Sequence, residues 1–362
     1  MKRIMYVSTV TRQLSGAEVD EIGRISSRNN LKVGITGILF SAHEFFFQIL
    51  EGDEDAVDRT LVRIRNDPRH RDLLILKAEH DISERLFAKW SMRTICLNRT
   101  NDLILQALRI MLENITESHR IIERYTQPAV LKFLTEGINP LSVPGKKTEH
   151  IILFGDIVAF SYLSERFPVE EVADLVSQFL KVCSSRVVES GGQVNKYVGD
   201  CVMAYFPPDE ADGAITACLN TLKDIQQLRS GAGESGLMRF LYCGFGLTKG
   251  PVIEGNIGSP IKMDYTVLGD TVNLAARLEG LTRNIGKAIA VTKSVRDACT
   301  QPWNFVAMGD FELKGQSRSL PIYSLDDPVV ADIRTQEMLV GDMQEVNLKI
   351  DSGAATPFSS QS

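Results

Sequence analysis

The sequence predicts an α+β protein made of two ferredoxin-like domains joined by a long helix with coiled-coil spacing. Three patterns carry this prediction. The first 97 or so residues run strand, helix, strand, strand, helix, strand, and residues 149–325 repeat that order with extensions. Between them lies one long helical pattern. A chain of 362 residues suits two domains and a connector. The division expected is 1–97, 98–148, 149–325 and a largely disordered tail at 326–362.

In the first segment, Ile4–Ser8 reads as a strand and Ala17–Asn29 as a helix introduced by Ser15. Ile35–Ser41 and Phe45–Glu51 form a hairpin, Asp55–Arg65 is a helix with Val57, Leu61 and Ile64 on one face, and Leu73–His80 is a further strand. The period of two places Phe46, Gln48 and Leu50 on one face of the second hairpin strand. An amide between two large apolar side chains is costly to bury without partners. It bonds a neighbouring loop or faces a ligand, since a carboxamide donates, accepts, and reverses that pattern by rotating.

Tyr6 and Ser8, Asn29-Asn30 before Gly34-Ile-Thr-Gly-Ile-Leu, FFFQILEG, DPRH at 67–70 and WSM at 90–92 together resemble a BLUF domain, a blue-light sensor that binds FAD non-covalently. The resemblance implies that Tyr6 gives an electron and a proton to the excited flavin and that Gln48 is the amide that rearranges. It implies that Asn30 and Asn29 hold the flavin ring and Arg63 a phosphate, and that the strand of Trp90 and Met92 transmits the change. The photochemistry implied needs no cysteine adduct.

The connector pattern runs from Asn101 to Tyr125, with Asp102 near its start. Ile104, Leu108, Met111, Ile115, Ser118, Ile122 and Tyr125 follow alternating four- and three-residue steps, the seam of a two-stranded coiled coil. Packing of this helix on its own domain is the equal alternative. Pro128 ends it, and Gly137, Pro140, Pro144 and Gly145 mark a hinge. A parallel homodimer along this helix is expected to carry the signal.

Past the hinge, HIILFGDIVAF is a buried apolar strand interrupted by Asp156, whose carboxylate needs a compensating cation. Pro168–Ser190 is a helix. Gly191–Phe206 is a hairpin whose tight Gly199-Asp200 turn projects a second carboxylate, with Lys196 just before it. Ala211–Leu228 is a helix, Leu237–Lys249 and Pro251–Gly255 read as another hairpin, and a glycine-rich loop, GNIGSPIKMDYTVLGD, follows. The helix Thr271–Leu281 puts Asn273 and Arg277 four apart on one face. Two acids meeting in space suit a pair of hard divalent ions, Mg²⁺ or Mn²⁺, bridging phosphates. No GxxxxGK[ST] is present, which excludes a P-loop enzyme.

FGDI, GGQVNKYVGDCVMAYF and DYTVLGDTVNLAARLE, in that order, resemble the class III nucleotidyl cyclase catalytic domain. The resemblance implies that Asp156 and Asp200 hold two metals, that Lys196 and Thr266 recognise the purine, and that Asn273 and Arg277 stabilise the transition state. Lys314 in ELKG resembles the lysine that contacts the triphosphate. A lysine and a hydroxyl suit adenine N1 and its exocyclic amine, so ATP is the expected substrate and guanylyl cyclase activity the disfavoured alternative. Metal acids and purine pair come from opposite chains in this family, which implies a homodimer with composite sites. Gly155 departs from the serine, threonine or valine usual before the first acid, and is expected to loosen that strand. A non-catalytic, light-controlled scaffold is the rival reading.

Composition excludes other classes. A net charge of −6 supplies no basic footprint for nucleic acid. Six cysteines without CxxC or paired spacing read as reduced thiols, and five scattered histidines argue against zinc. No apolar run of about 18 residues exists and MKRIMYVSTV is too short for a signal peptide's apolar region, so the expectation is a cytoplasmic chain without membrane partners.

Overall fold

The computed structural model describes residues 1–343 except 13, 43, 44, 98–101, 137, 234, 235, 260, 314–318 and 336. Lys314, Gly137 and the end of the tail lie outside the described residues. The chain divides into two compact units, Met1–Val143 and Pro144–Ser362.

In the first unit β1 (Lys2–Val10), α1 (Gly16–Lys32), β2 (Thr36–Ala42), β3 (Phe45–Gly52), α2 (Glu54–Arg65) and β4 (His70–Glu79) give the sheet order β4-β1-β3-β2, the ferredoxin-like arrangement expected. A fifth strand, β5 (Arg93–Cys96), pairs parallel with β2. Ser15 starts α1 with a reciprocal cap: its side chain accepts from Glu18 N, while Glu18 accepts from Ser15 N. Strand alternation sorts the side chains into two layers. Tyr6, Phe46, Leu50 and Leu39 join Ile22, Val57 and Leu61 of the two helices in one core.

The other face of this sheet is covered by the connector helix α3 (Leu103–Tyr125). Leu112, Glu113 and Thr116 line a small gap with Val7, Phe40, Phe45 and Phe47. The equal alternative weighed from sequence, packing on its own domain, therefore holds for one side of α3. The expected seam faces outward: Ile104, Met111, Ile122 and Tyr125 are exposed. Then come α4 (Pro128–Thr135), which packs on β4, and a 3₁₀ turn at Pro140–Ser142.

The second unit consists of β6 (Lys146–Ile157), α5 (Phe160–Arg166), α6 (Val169–Glu189), β7 (Gln193–Val198), β8 (Cys201–Phe206), α7 (Ala211–Gly231), β9 (Cys243–Gly258), β10 (Met263–Leu268), α8 (Asp270–Ile285), β11 (Ile289–Thr292), α9 (Lys293–Arg296), β12 (Phe305–Phe311), β13 (Leu320–Leu325) and α10 (Pro328–Ala331). The sheet order is β12-β13-β11-β9-β6-β8-β7, so β9-β6-β8-β7 repeats the ferredoxin-like order. Ile151, Leu153 and Ile157 of β6 enter the core shared with Leu175 and Phe179 of α6 and Ile215 and Leu222 of α7. Ile152 joins the opposite core with Ala275 of α8. Helix α8 reaches the sheet because Gly246 leaves room: a Cβ there would lie 2.3 Å from Ala275 O and Glu279 N.

Two expectations are corrected. The hairpin expected to turn between Lys249 and Pro251 is one 16-residue strand, β9, and the expected glycine-rich loop is shared between the end of β9 and the antiparallel strand β10. Pro251 is tolerated because one flank of β9 pairs β11 at 245–247 and β10 at 253–258, leaving Pro251 between the two ladders, where no amide proton is demanded. The tail is not structureless from residue 326: Val330, Ile333, Leu339 and Met343 are buried in the core of the second unit. The apolar residues of this stretch keep no sustained period, so their burial is not read from sequence.

Candidate functional site

In the first unit, Tyr6 and Gln48 face each other across paired strands, being direct partners in the β1–β3 register. The Tyr6 hydroxyl donates to Gln48 Oε1, and Gln48 Nε2 donates to the Met92 sulfur at 3.4 Å. Tyr6 is fully buried, and burial, aided by Asp67, pushes its phenol well above the usual range. Met92 is buried, whereas Trp90 is 37% exposed, stacked with Phe87 and overlaid by the Arg93 guanidinium at 4.6 Å. Asn30 is buried, its amide donating to Ser91 O at 3.0 Å, and Asn29 next to it is half-buried. Arg63 donates to Thr60 Oγ1 at 2.7 Å, and both line a cleft of about 590 Å³ with Val33, Asp58 and Arg59. That volume lies within the range of small-molecule sites, and Arg59 and Arg63 at its wall suit a ligand carrying phosphates, as the phosphate end of FAD would; Tyr6, Gln48, Asn29 and Asn30 are not among its lining residues.

Sequence reasoning passed over Glu51, three residues after Gln48 on β3. It is completely buried, ion-paired to Arg3 at 2.6 Å, and accepts from the backbone of Leu86 and Phe87, just ahead of Trp90. The signal was present: an acid closing an apolar strand needs partners as much as the glutamine does.

In the second unit, Asp156 lies on β6 and Asp200 beside the Gly199 turn between β7 and β8, where Gly199 takes the left-handed φ of 64° that the tight turn requires. Asp156 Oδ1 and Asp200 Oδ2 are buried and have no hydrogen-bond partner among the described residues. Burial first, and then the neighbouring Asp156 carboxyl, hold Asp200 well above the usual carboxylate range. Buried carboxylate oxygens aimed at no donor fit a divalent cation. Among the described residues no group of three or more His, Cys, Asp or Glu side chains could hold a metal. Two carboxylates are what suits Mg²⁺, which keeps waters and takes the rest of its ligands from phosphates.

The cation nearest Asp156 is Arg283 of α8, at 3.7 Å, which also pairs with Glu279 at 2.9 Å. Burial raises the Glu279 carboxyl to about 7, although Arg283 draws it down. Neither residue was singled out from sequence, although their spacing of four on one helix is an ordinary ion-pair signature.

Lys196 is ion-paired to Asp264 of β10 at 3.4 Å. Thr266, two residues further along β10, is buried, and its hydroxyl donates to Asn195 Oδ1 at 2.8 Å. The two residues named from sequence thus lie on β7 and β10, strands that are not paired but are joined by the Lys196–Asp264 and Asn195–Thr266 contacts. On α8, Asn273 is exposed and Arg277 half-buried. Both lie on the helix that carries Arg283. Gly155 tightens its strand instead of loosening it: a Cβ there would lie 2.5 Å from the Phe245 ring, which packs into the space.

The second unit thus carries two acids, on β6 and at the β7–β8 turn, in a mixed sheet, and the first a buried tyrosine–glutamine pair in a separate ferredoxin-like sheet. Residues 143–327 match the adenylate and guanylate cyclase catalytic domain, and residues 1–93 match the sensors of blue light using FAD. The chain belongs to the adenylate and guanylate cyclase catalytic domain family, with a blue-light sensor domain at its N-terminal end. A solved bacterial light-regulated adenylyl cyclase is 39% identical, with a TM-score of 0.87 over 97% of this chain and 100% of that one. The photoactivated adenylate cyclase subunit beta of Euglena gracilis is 32% identical over 298 residues, 81% of this chain and 34% of that protein. The subunit alpha of the same organism is likewise 32% identical, over 81% of this chain and 29% of its own length. The chain spans about a third of the length of these curated relatives. Among the described residues no helix is long and apolar enough to cross a membrane.

Proposed function

We propose that this protein is a blue-light-activated adenylyl cyclase that converts ATP to 3′,5′-cyclic AMP and pyrophosphate. The observation that carries the reading is the pair of buried, donorless carboxylate oxygens on Asp156 and Asp200. A light-controlled scaffold has no use for such a pair, whose burial costs stability.

Two Mg²⁺ or Mn²⁺ held by Asp156 and Asp200 would supply charge neutralisation at the phosphates. Asp156 helps remove the ribose 3′-hydroxyl proton. The 3′-oxygen then bonds to the α-phosphorus, and the bond to the β-phosphate oxygen breaks. Lys196 donates to adenine N1, Thr266 accepts from the exocyclic amine, and Lys314 contacts the triphosphate. Asn273 and Arg277 steady the charge that develops on the transferring phosphorus. Lys196, Thr266, Asn273 and Arg277 belong to the second copy of a parallel homodimer, with α3 as the pairing element; the exposed Ile104, Met111 and Ile122 support this.

Bound FAD supplies the light absorption and the electron acceptor. Tyr6 would give the flavin an electron and its proton and take both back as the pair recombines, while Gln48 rotates, exchanging the oxygen it turns to Tyr6 for its amine. The amide oxygen then faces the Met92 sulfur, which loses a donor, and the segment leading into β5 is released. Asn29, Asn30 and Arg63 hold the flavin, and Trp90 remains the outer member of the pair.

The test is cyclic nucleotide made from ATP with Mg²⁺ by the flavin-loaded protein, in darkness and under blue light. Product that rises in light is expected. A normal flavin spectrum with no product in either condition would overturn the reading in favour of a scaffold.

A further inference from the structure

Strand β7 carries an irregularity where it matters most. Val194 pairs with Ala204 of β8 and Lys196 pairs with the next residue back, Met203, so Asn195 is an extra residue with no partner of its own in that ladder. A bulge of this kind re-aims a side chain. The Asn195 side chain turns to β10, where it is 5% exposed and makes two hydrogen bonds. Its Nδ2 donates to the Tyr265 carbonyl at 3.3 Å, and its Oδ1 accepts from the Thr266 hydroxyl at 2.8 Å.

The first bond fixes the sense of the second. A backbone carbonyl only accepts, so the amine end of the amide must face Tyr265 and the oxygen end must face Thr266. The single hydroxyl proton of Thr266 is thereby committed to Asn195, and toward a ligand the hydroxyl can only accept. Adenine presents an exocyclic amine, a donor, where guanine presents O6, an acceptor. A freely rotating threonine would serve either base. A threonine whose proton is held by Asn195 serves only the amine.

We infer that Asn195 is a specificity-positioning residue: it locks the Thr266 hydroxyl as an acceptor and so makes the purine site select ATP over GTP. This rests on the proposed role of Thr266 in reading the purine. Asn195 itself need not touch the nucleotide. Its place beside Lys196 also puts the bulge next to the second purine-reading residue.

The experiment measures equilibrium dissociation constants of full-length, flavin-loaded protein for non-cyclisable analogues of ATP and GTP, with kcat/KM for both nucleotides alongside. Asn195→Val removes the acceptor and frees the Thr266 proton; the ATP-over-GTP ratio should fall about tenfold, the worth of one hydrogen bond. Asn195→Asp keeps an acceptor toward Thr266 and should keep the preference for ATP. Asn195→Ala decides in the same way as the valine variant if that variant does not fold, as judged by its thermal unfolding. An equal loss of affinity for both analogues, with the ratio unchanged, would show that Asn195 only packs β7 on β10 and would overturn the inference. Absence of cyclic product from the unmodified protein would sink the cyclase reading instead, while the binding ratio would still decide the part played by Asn195.

Discussion

A thioether is a weak acceptor, so the bond from Gln48 Nε2 to the Met92 sulfur holds little energy of its own. Its use lies in being lost cheaply when the amide turns. Met92→Leu keeps the volume and removes the acceptor. It should leave the light-induced change in flavin absorption in place, because Tyr6 and Gln48 are untouched, while the ratio of lit to dark cyclase activity falls toward one. Retention of the full ratio would show that the signal leaves by another strand. At this scale the sequence was legible wherever chemistry is concentrated in one residue type: Tyr6 and Gln48 stand together, and Lys196 and Thr266 lie on strands joined by side-chain contacts. It was not legible where a residue acts through a partner distant in the chain. Arg283 reads as a solvated helix charge until β6 brings Asp156 within 3.7 Å of it, and nothing in V-N-K-Y tells that Asn195 sits on a bulge.

Elements hold these residues in place by two devices, close approach and buried charge. At Gly155 the Phe245 ring occupies the volume a side chain would need. Gly155→Ala should therefore destabilise the second unit by about 1–3 kcal/mol through overpacking, measured as a lower urea midpoint with an unchanged slope. An unaltered midpoint would mean that the ring moves aside freely. Farther back on β6, His150 and Lys146 approach Glu254 of β9 at 3.2 and 3.3 Å, and the Tyr265 hydroxyl donates to it at 3.1 Å. The His150 bond foremost, against the cost of burial, brings the Glu254 carboxyl from an ordinary 4.5 to about 2. A depressed carboxyl stabilises the fold at pH values above its unfolded value, and that stabilisation is lost as pH falls through the folded one. The gap in stability between the native protein and Glu254→Gln should accordingly be full at neutral pH and close between about 4.5 and about 2; a gap independent of pH would remove the ionised pair from the account. Both helices and strands were readable from period and caps, since Ser15 and Asp102 sit at the starts of α1 and α3. The long β9 was not, because a proline ends a strand unless both neighbouring ladders avoid it, and ladder placement is a tertiary fact.

For the whole molecule the question is whether one chain suffices. Asp156 and Asp200 come together within the second unit, with Arg283 at 3.7 Å from Asp156, and Asn273 and Arg277 lie on the same helix as Arg283. Helix α3 is held to its own sheet through Leu112 and Thr116 and turns Ile104, Met111, Ile122 and Tyr125 outward, a stripe that a second copy would cover. If each site draws its acids from one copy and its arginine from the other, two inactive variants should repair each other. Asp200→Ala should lower the rate by on the order of a thousandfold or more, the worth of several kcal/mol of charge stabilisation, and Arg277→Ala should be similarly inactive. In a heterodimer of the two, one site carries both defects and the other carries neither. Random exchange makes half the dimers mixed, each with one intact site of two, so co-expression should recover about a quarter of the native activity. Mixing the same variants with Met111→Glu built into both chains should abolish that recovery by breaking the α3 seam, while each sensor unit keeps its flavin spectrum. No recovery from the simple mixture, with native mass scattering as a dimer, would place the complete site within a single chain and leave α3 with a role in signalling alone.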